Sequence, residues 1–282
     1  MLKLRDGIVE LYKKVATSIP PDVEKSLKDA LNKEKYGTKG YDTLNIILEN
    51  IKQARSTKRP VCQDTGVPTF WVKVPKGLSH KDIKEIIIEG TRLATAKIPL
   101  RSNAVEPISE INSGDNTGEG FPIIHLEESQ ELSLVVDLML KGAGCENAGQ
   151  IYKLPDAELE AHRDFEGVRK CIIDTVLKAQ GKACPPYTFA AAVGASRDQV
   201  TSLSKKQLLR RLSDKNPNPY IEKLETRLLN DINALGIGPI GLGGKITCLG
   251  VKIGVNHRHP ASFFVDVTVS CWALRRGRLI WS

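Results

Sequence analysis

The chain has 282 residues, 41% hydrophobic and 26% charged, enough for one large domain or two modest ones with a sizeable core. Its formal net charge is +8, yet Lys and Arg are interleaved with Asp and Glu and only 5% of residues are aromatic, so no platform for stacked bases is present. A nucleic-acid partner is not expected; the excess charge suits a small anion steered into a cleft. No run of about 18 apolar residues occurs, so no membrane span is expected, and MLKLRDGIVELYKK lacks the apolar core of a signal peptide.

Residues 1–55 predict a helical region of three helices. Leu4, Ile8, Leu11, Tyr12 and Val15 recur at helical spacing, Pro20-Pro21 interrupts, and a third helix is expected after Asp42 as N-cap. Residues 56–282 are read as one continuous mixed α/β core. It opens on Cys62-Gln63-Asp64-Thr65-Gly66, just before the strand-like run Thr69–Val74. A thiol can hold a metal, a carboxamide can orient a ligand and a carboxylate can move a proton. The plain alternative is a buried cysteine with Asp64 in an Asx-turn.

Ser79 predicts a helix start, with the helix reaching Lys97. Arg101 follows a Pro99 turn, where its fork could pair with a carboxylate or with an ordinary surface anion. A polar glycine-rich loop, residues 112–120, separates that turn from two apolar strands, 122–126 and 132–140. The second strand runs into Lys141-Gly142-Ala143-Gly144-Cys145. Small residues there let a ligand approach backbone N–H groups, though a simple β-turn would read the same.

A helix is expected over 164–180, with Cys171 as a small core hydrophobe. Cys184-Pro185-Pro186 then holds a thiol on an extended exit before the strand Thr188–Val193. A basic helix is expected over 199–213, and another up to Leu235. The stretch GIGPIGLGGKIT, residues 236–247, contains GxGxxG but follows a helix and opens a strand, which excludes a dinucleotide fingerprint. Two strands are expected to finish the chain, Thr247–Val255 and Phe263–Trp272. Between them, His257-Arg258-His259 could supply metal ligands, acid–base groups or an anion site. None of the six cysteines forms a CxxC pair, which argues against a zinc ribbon, and a reducing cytoplasm is the expected setting.

CQDTG, LRSNAV, the KGAG strand end, ACPPY, INALGIGPIGLGGKIT and RHPAS-x8-C occur together and in this order. That series resembles the class I, iron–sulfur fumarate hydratases, in particular the separate alpha subunit of the two-subunit form shared with L-tartrate dehydratase. The resemblance covers residues 40–275. It implies a 4Fe-4S cluster held by Cys62, Cys184 and Cys271, with one open iron acting as a Lewis acid. It places Gln63, Arg101, Ala143 and Gly144 on the carboxylates of a fumarate or malate substrate. Asp64 becomes the first acid–base candidate and His259 a group that binds or orients substrate. It also implies a separate beta subunit, in a heteromer such as α2β2, because single-chain relatives carry further site residues in a C-terminal domain. Ala143 and Cys145 depart from the family's Lys-Gly-Gly-Gly-Ser, which could bring Cys145 near the cluster. The expected architecture is α+β: a helical N-terminal region packed on a mixed β-sheet core. The expected function is hydration of fumarate to L-malate. The rivals are tartrate dehydration and a non-catalytic iron–sulfur or redox-sensing protein.

Overall fold

A computed structural model describes residues 2–282. The architecture is α+β, with two four-stranded mixed sheets, each in its own compact unit. The first unit comprises residues 1–20, 50–143 and 275–282; the second comprises residues 21–49 and 144–274.

In the first unit, helix α1 (Leu2–Thr17) buries Leu4, Ile8, Leu11, Tyr12 and Val15 along one face. It packs on α4 (His80–Lys97), where Gly90 admits the Ile8 side chain. Ser79 caps α4 by accepting from Asp82 N. Tyr12 packs edge-on against Phe70 and hydrogen-bonds Thr91 at 2.8 Å. Beneath these helices lies a sheet in the order β2 (Ile123–Ser129), β1 (Val67–Pro75), β3 (Leu134–Lys141), β8 (Arg275–Trp281). The β1–β2 pair is parallel and the other two pairs are antiparallel. Val67 pairs with Lys141 and Leu140 with Arg275. The start of β1, the end of β3 and the start of β8 therefore share one end of the sheet.

The second unit contains α2 (Pro21–Lys33) and the start of α3 (Lys39–Thr57). Lys39 opens α3, so Asp42 lies inside its first turn rather than at the cap. The unit's sheet runs β4 (Gln150–Lys153), β7 (Phe264–Ser270), β5 (Tyr187–Gly194), β6 (Cys248–Val255). Here β5–β6 is the parallel pair. Helices α6 (Phe165–Ala179), α7 (Arg197–Gln207) and α8 (Pro219–Ala234) cover it. Tyr187 pairs with Cys248 and Thr188 with Ser270, so the starts of β5 and β6 meet the end of β7.

Several expectations change. The basic helix ends at Gln207. The KGAG strand end turns into a short helix, α5 (Ala143–Asn147), not a β-turn. Strands β4 and β8 are additional. The β8 sequence, RRGRLIW, hides its nature because it is an edge strand: Arg278 makes a two-pronged pair with Asp137 across the ladder, at 2.7 and 2.9 Å. No helix of the described residues is long and apolar enough to cross a membrane.

Candidate active site

The CQDTG pentapeptide links α3 to β1, at the shared strand end of the first unit. Cys62 and Asp64 are half-buried, Gln63 is exposed, and Thr65 and Gly66 are buried. Gly66 has φ 87°, and a Cβ there would stand 2.8 Å from the Leu140 carbonyl carbon. Both the left-handed backbone and the close approach of β3 require glycine. Asp64 is held from two sides: Oδ1 accepts the Gly66 N–H at 3.0 Å and Oδ2 accepts the Ala143 N–H at 2.8 Å. The Asx-turn therefore exists, and the same carboxylate also binds the strand end 79 residues away. Gly142 lies against it, since a Cβ there would meet Asp64 Oδ2 at 2.9 Å.

Arg101 is placed through its backbone. Thr65 Oγ1 accepts its N–H at 3.1 Å, and Asn116 Nδ2 donates to its carbonyl at 2.8 Å. Asn103 donates to Thr65 Oγ1 and to the Gly66 carbonyl, at 3.3 and 3.2 Å. The Arg101 side chain is exposed and makes no ion pair among the described residues. Thr65, Asn103 and Asn116 are positioning groups that the pattern alone did not single out. For Asn116 the signal was the polar loop 112–120, which this buried side chain ties to Arg101; Thr65 and Asn103 lie within CQDTG and LRSNAV.

At the strand end of the second unit, Cys184 is exposed, with φ 57°, so the chain leaves it through a left-handed turn and not an extended one. Such a conformation in a non-glycine residue is uncommon and collects at functional positions. Its carbonyl accepts the Trp272 N–H at 3.2 Å, which places it beside the half-buried Cys271. The Pro185 carbonyl accepts the Ile240 N–H at 2.8 Å, so the glycine-rich loop is a packing element for the Cys-Pro-Pro turn. The Tyr187 hydroxyl lies behind both: it donates to the Gln180 carbonyl at 2.6 Å and accepts from Ala183 N at 3.3 Å. Burial, and after it the neighbouring thiols of Cys145, Cys184 and Cys271, push this hydroxyl well above the usual tyrosine range. Cys145 is buried with Sγ 3.9 Å from the Ala183 carbonyl, so it joins Cys184 and Cys271 around Tyr187.

Cys171 and Cys248 differ in kind. Burial pushes both thiols up to about 12, and neither lies on a loop: Cys171 is inside α6 and Cys248 opens β6. Cys62 belongs to the first unit, Cys184 and Cys271 to the second. No three His, Cys, Asp or Glu among the described residues are arranged to hold a single metal ion. Taken singly, each of Cys62, Cys184 and Cys271 is an accessible or half-accessible thiol on a loop, the chemistry that a cluster asks of a ligand, one thiolate to an iron.

Within the second unit, His259 is not gathered with Cys184 and Cys271. It sits in the connection between β6 and β7, at the far end of the second sheet. The seven residues of β7 separate its loop from Cys271, roughly 23 Å of strand. It is exposed, and its Nδ1 accepts the Ala261 N–H at 3.0 Å. Arg258 beside it stacks on Phe263 at 5.0 Å.

The profile of the fumarate hydratase family (Fumerase) matches residues 5–279. A Geobacillus stearothermophilus protein assigned as a class I fumarate hydratase is 43% identical over 280 residues, 98% of this chain and 54% of that protein. A Methanocaldococcus jannaschii protein assigned as the alpha subunit of L(+)-tartrate dehydratase is 37% identical over 98% of this chain and 96% of its own length. The L(+)-tartrate dehydratase alpha subunit of Escherichia coli K12 is 34% identical over 99% and 90%. The chain thus spans about half of the first relative and nearly all of the other two.

Proposed function

Because the chain belongs to the class I fumarate hydratase family, we propose that it is the alpha component of an iron–sulfur hydro-lyase interconverting fumarate and L-malate. Cys62, Cys184 and Cys271 would hold a 4Fe-4S cluster. When bound, a cluster with one iron free of protein thiolate supplies Lewis-acid chemistry toward a substrate hydroxyl. The observation that carries this reading is the sorting of the cysteines. Those implied as ligands are reachable, on loops, and two of them meet at one strand end; Cys171 and Cys248 are buried with raised pKa values.

The chain's own residues then take distinct parts. Asp64 moves the proton on the carbon next to the hydroxyl-bearing carbon, from a carboxylate fixed by two backbone N–H groups. Arg101, unpaired and exposed on a backbone pinned by Thr65 and Asn116, takes a substrate carboxylate, with the Gln63 amide beside it in role. The Ala143 N–H is already taken by Asp64, so of the two strand-end residues only Gly144 remains for substrate; Ala143 serves the acid–base group instead. His259, a β7 length away from Cys271, serves a site at that cysteine only from a second copy of the chain, as a heteromer such as α2β2 would provide. A separate beta subunit supplies the remaining carboxylate contacts, in keeping with relatives named as alpha subunits. The setting is cytoplasmic, where the free thiols stay reduced.

L-tartrate is the second substrate reading, favoured by the relatives that match over nearly their full length. Anaerobic reconstitution with iron and sulfide, followed by turnover on fumarate and on L-tartrate with the partner subunit present, tests both. The expected loading is about four irons per chain, lost in Cys184→Ser and kept in Cys171→Ser. Full loading of Cys184→Ser overturns the ligand assignment. Full loading without turnover of either substrate leaves a cluster protein that is no hydro-lyase.

A further inference from the structure

Arg275 opens β8 opposite Leu140, two residues before Gly142 on the neighbouring strand. It is 1% exposed and among the largest fully buried side chains. Its Nε and Nη1 are both buried without a hydrogen-bond partner. A buried guanidinium in that state is costly and persists where an opposing charge lies close by. That charge is at hand. The point where a Cβ on Gly142 would stand lies 3.9 Å from Arg275 Nη2 and 2.9 Å from Asp64 Oδ2. The cation and the carboxylate thus both lie against the same glycine, and their side chains are the nearest ones to that point.

We propose that Arg275 is a positioning residue for Asp64: its charge, acting across Gly142, holds the carboxylate in the orientation from which it transfers the substrate proton. This rests on the reading of Asp64 as the acid–base group. The arrangement differs from a direct ion pair in a useful way. Both carboxylate oxygens keep their backbone N–H partners, Gly66 and Ala143, while the guanidinium stays behind the strand end. A proton-transfer group must be held close to its working geometry, and small displacements cost rate and not affinity. The need for an unobstructed gap also explains glycine at position 142, where φ imposes no such demand.

The test uses the complete, cofactor-loaded enzyme with Arg275→Met, Arg275→Lys, Gly142→Ala, Asp64→Asn and the Asp64→Asn/Arg275→Met pair. Arg275→Met should lower kcat about 10- to 100-fold, the scale of a small misplacement, and leave KM within about 2-fold. Arg275→Lys should recover part of the loss. Gly142→Ala, which puts a methyl group into the gap, should also lower kcat. On the Asp64→Asn background, Arg275→Met should cost nothing further, because the group it positions is gone. Wild-type kcat in Arg275→Met, a raised KM with kcat kept, or losses that multiply in the pair would each overturn the proposal. Should Arg275→Met fail to fold, Gly142→Ala decides alone and in the Asp64→Asn background, by the same two readings. If Asp64→Asn itself turns over at the wild-type rate, the acid–base reading falls and this one with it. A slow Asp64→Asn beside a fast Arg275→Met removes only this one.

Discussion

Replacing Asp64 by Asn changes one atom of the carboxylate, and the structure sets what that atom meets. Oδ1 accepts from Gly66 and Oδ2 from Ala143, so an amide satisfies only one of the two N–H groups; its NH2 faces the other. Gly66 is buried and Ala143 exposed. The amide oxygen therefore turns to Gly66, and water replaces it at Ala143. Leaving a donor wholly unsatisfied costs about 1–3 kcal/mol, and solvent access at Ala143 keeps this variant near the lower end. For a domain of this size that is a fall of about 2–4 °C in Tm. The kinetic cost is of another order. Losing a general acid or base slows turnover about 10²–10⁴-fold, about 3–5 kcal/mol in the barrier. The assay sets three numbers side by side for the assembled enzyme: Tm by calorimetry, iron per chain, and kcat. The expected pattern is a small Tm shift, unchanged iron and a large drop in kcat. A kcat within about 3-fold of wild type, with iron and Tm intact, refutes the role of Asp64; a loss of iron in step with kcat would make Asp64 a support for the metal site instead.

In the first unit, Gly90→Ala would place a methyl 2.7 Å from Ile8 Cγ2. The helix-propensity gain of about 1 kcal/mol is outweighed by overpacking of about 1–3 kcal/mol, and Gly90→Ala/Ile8→Ala, which removes the clashing Cγ2, should cost less in urea unfolding than the two single changes added together. In the second unit, burial holds the Lys252 ammonium below its usual range, so the folded chain binds fewer protons there than the unfolded one. Stability from this group is thus weakest at neutral pH and rises as pH climbs through the interval below 10.5. Wild type should gain on Lys252→Met over that interval, and a pH-independent gap between them would contradict the assignment. Mixing His259→Ala chains with Asp64→Asn chains should restore part of the activity that each lacks alone, if His259 works from a second copy. No recovery in mixed oligomers verified by mass spectrometry would take His259 out of that role.

Much of the local structure was legible because its causes are local. Ser79 caps α4 through an atom three residues away, and Cys171 is buried by its own helix face. The CQDTG turn was readable as chemistry because its glycine and its carboxylate are neighbours in the chain. What stayed hidden was set across strands. Asp64 finds Ala143 only through the register that pairs Val67 with Lys141. The strand β8 is defined by a partner, Asp137, that lies 141 residues from Arg278, and no periodicity in RRGRLIW announces it. Arg275 reads as one more surface arginine in a run of basic residues; only the pairing with Leu140 buries it behind the strand end.

The two sheets repeat one topology, and this explains where the chemistry collects. In each, a central strand has a parallel neighbour on one side and an antiparallel one on the other, and a further antiparallel strand follows: β2-β1-β3-β8 in the first unit, β6-β5-β7-β4 in the second. CQDTG enters the central strand β1, as Cys184-Pro185-Pro186 enters the central strand β5. Lys141-Gly142-Ala143 leaves the third strand β3, as Cys271 leaves the third strand β7. Corresponding ends of corresponding strands thus carry every implied metal ligand and the Asp64 carboxylate. Within each unit, the free backbone groups at such ends and the short loops that join them bring residues distant in sequence to one end of the sheet. His259 stands in the β6–β7 connection, whose counterpart in the first unit is the short β2–β3 connection after Ser129, at the end of the sheet that carries none of these residues. Its position within the second unit follows a different rule from that of Cys184 and Cys271, which is the reason for proposing that it acts from a second copy, and the mixing experiment is the one that decides it.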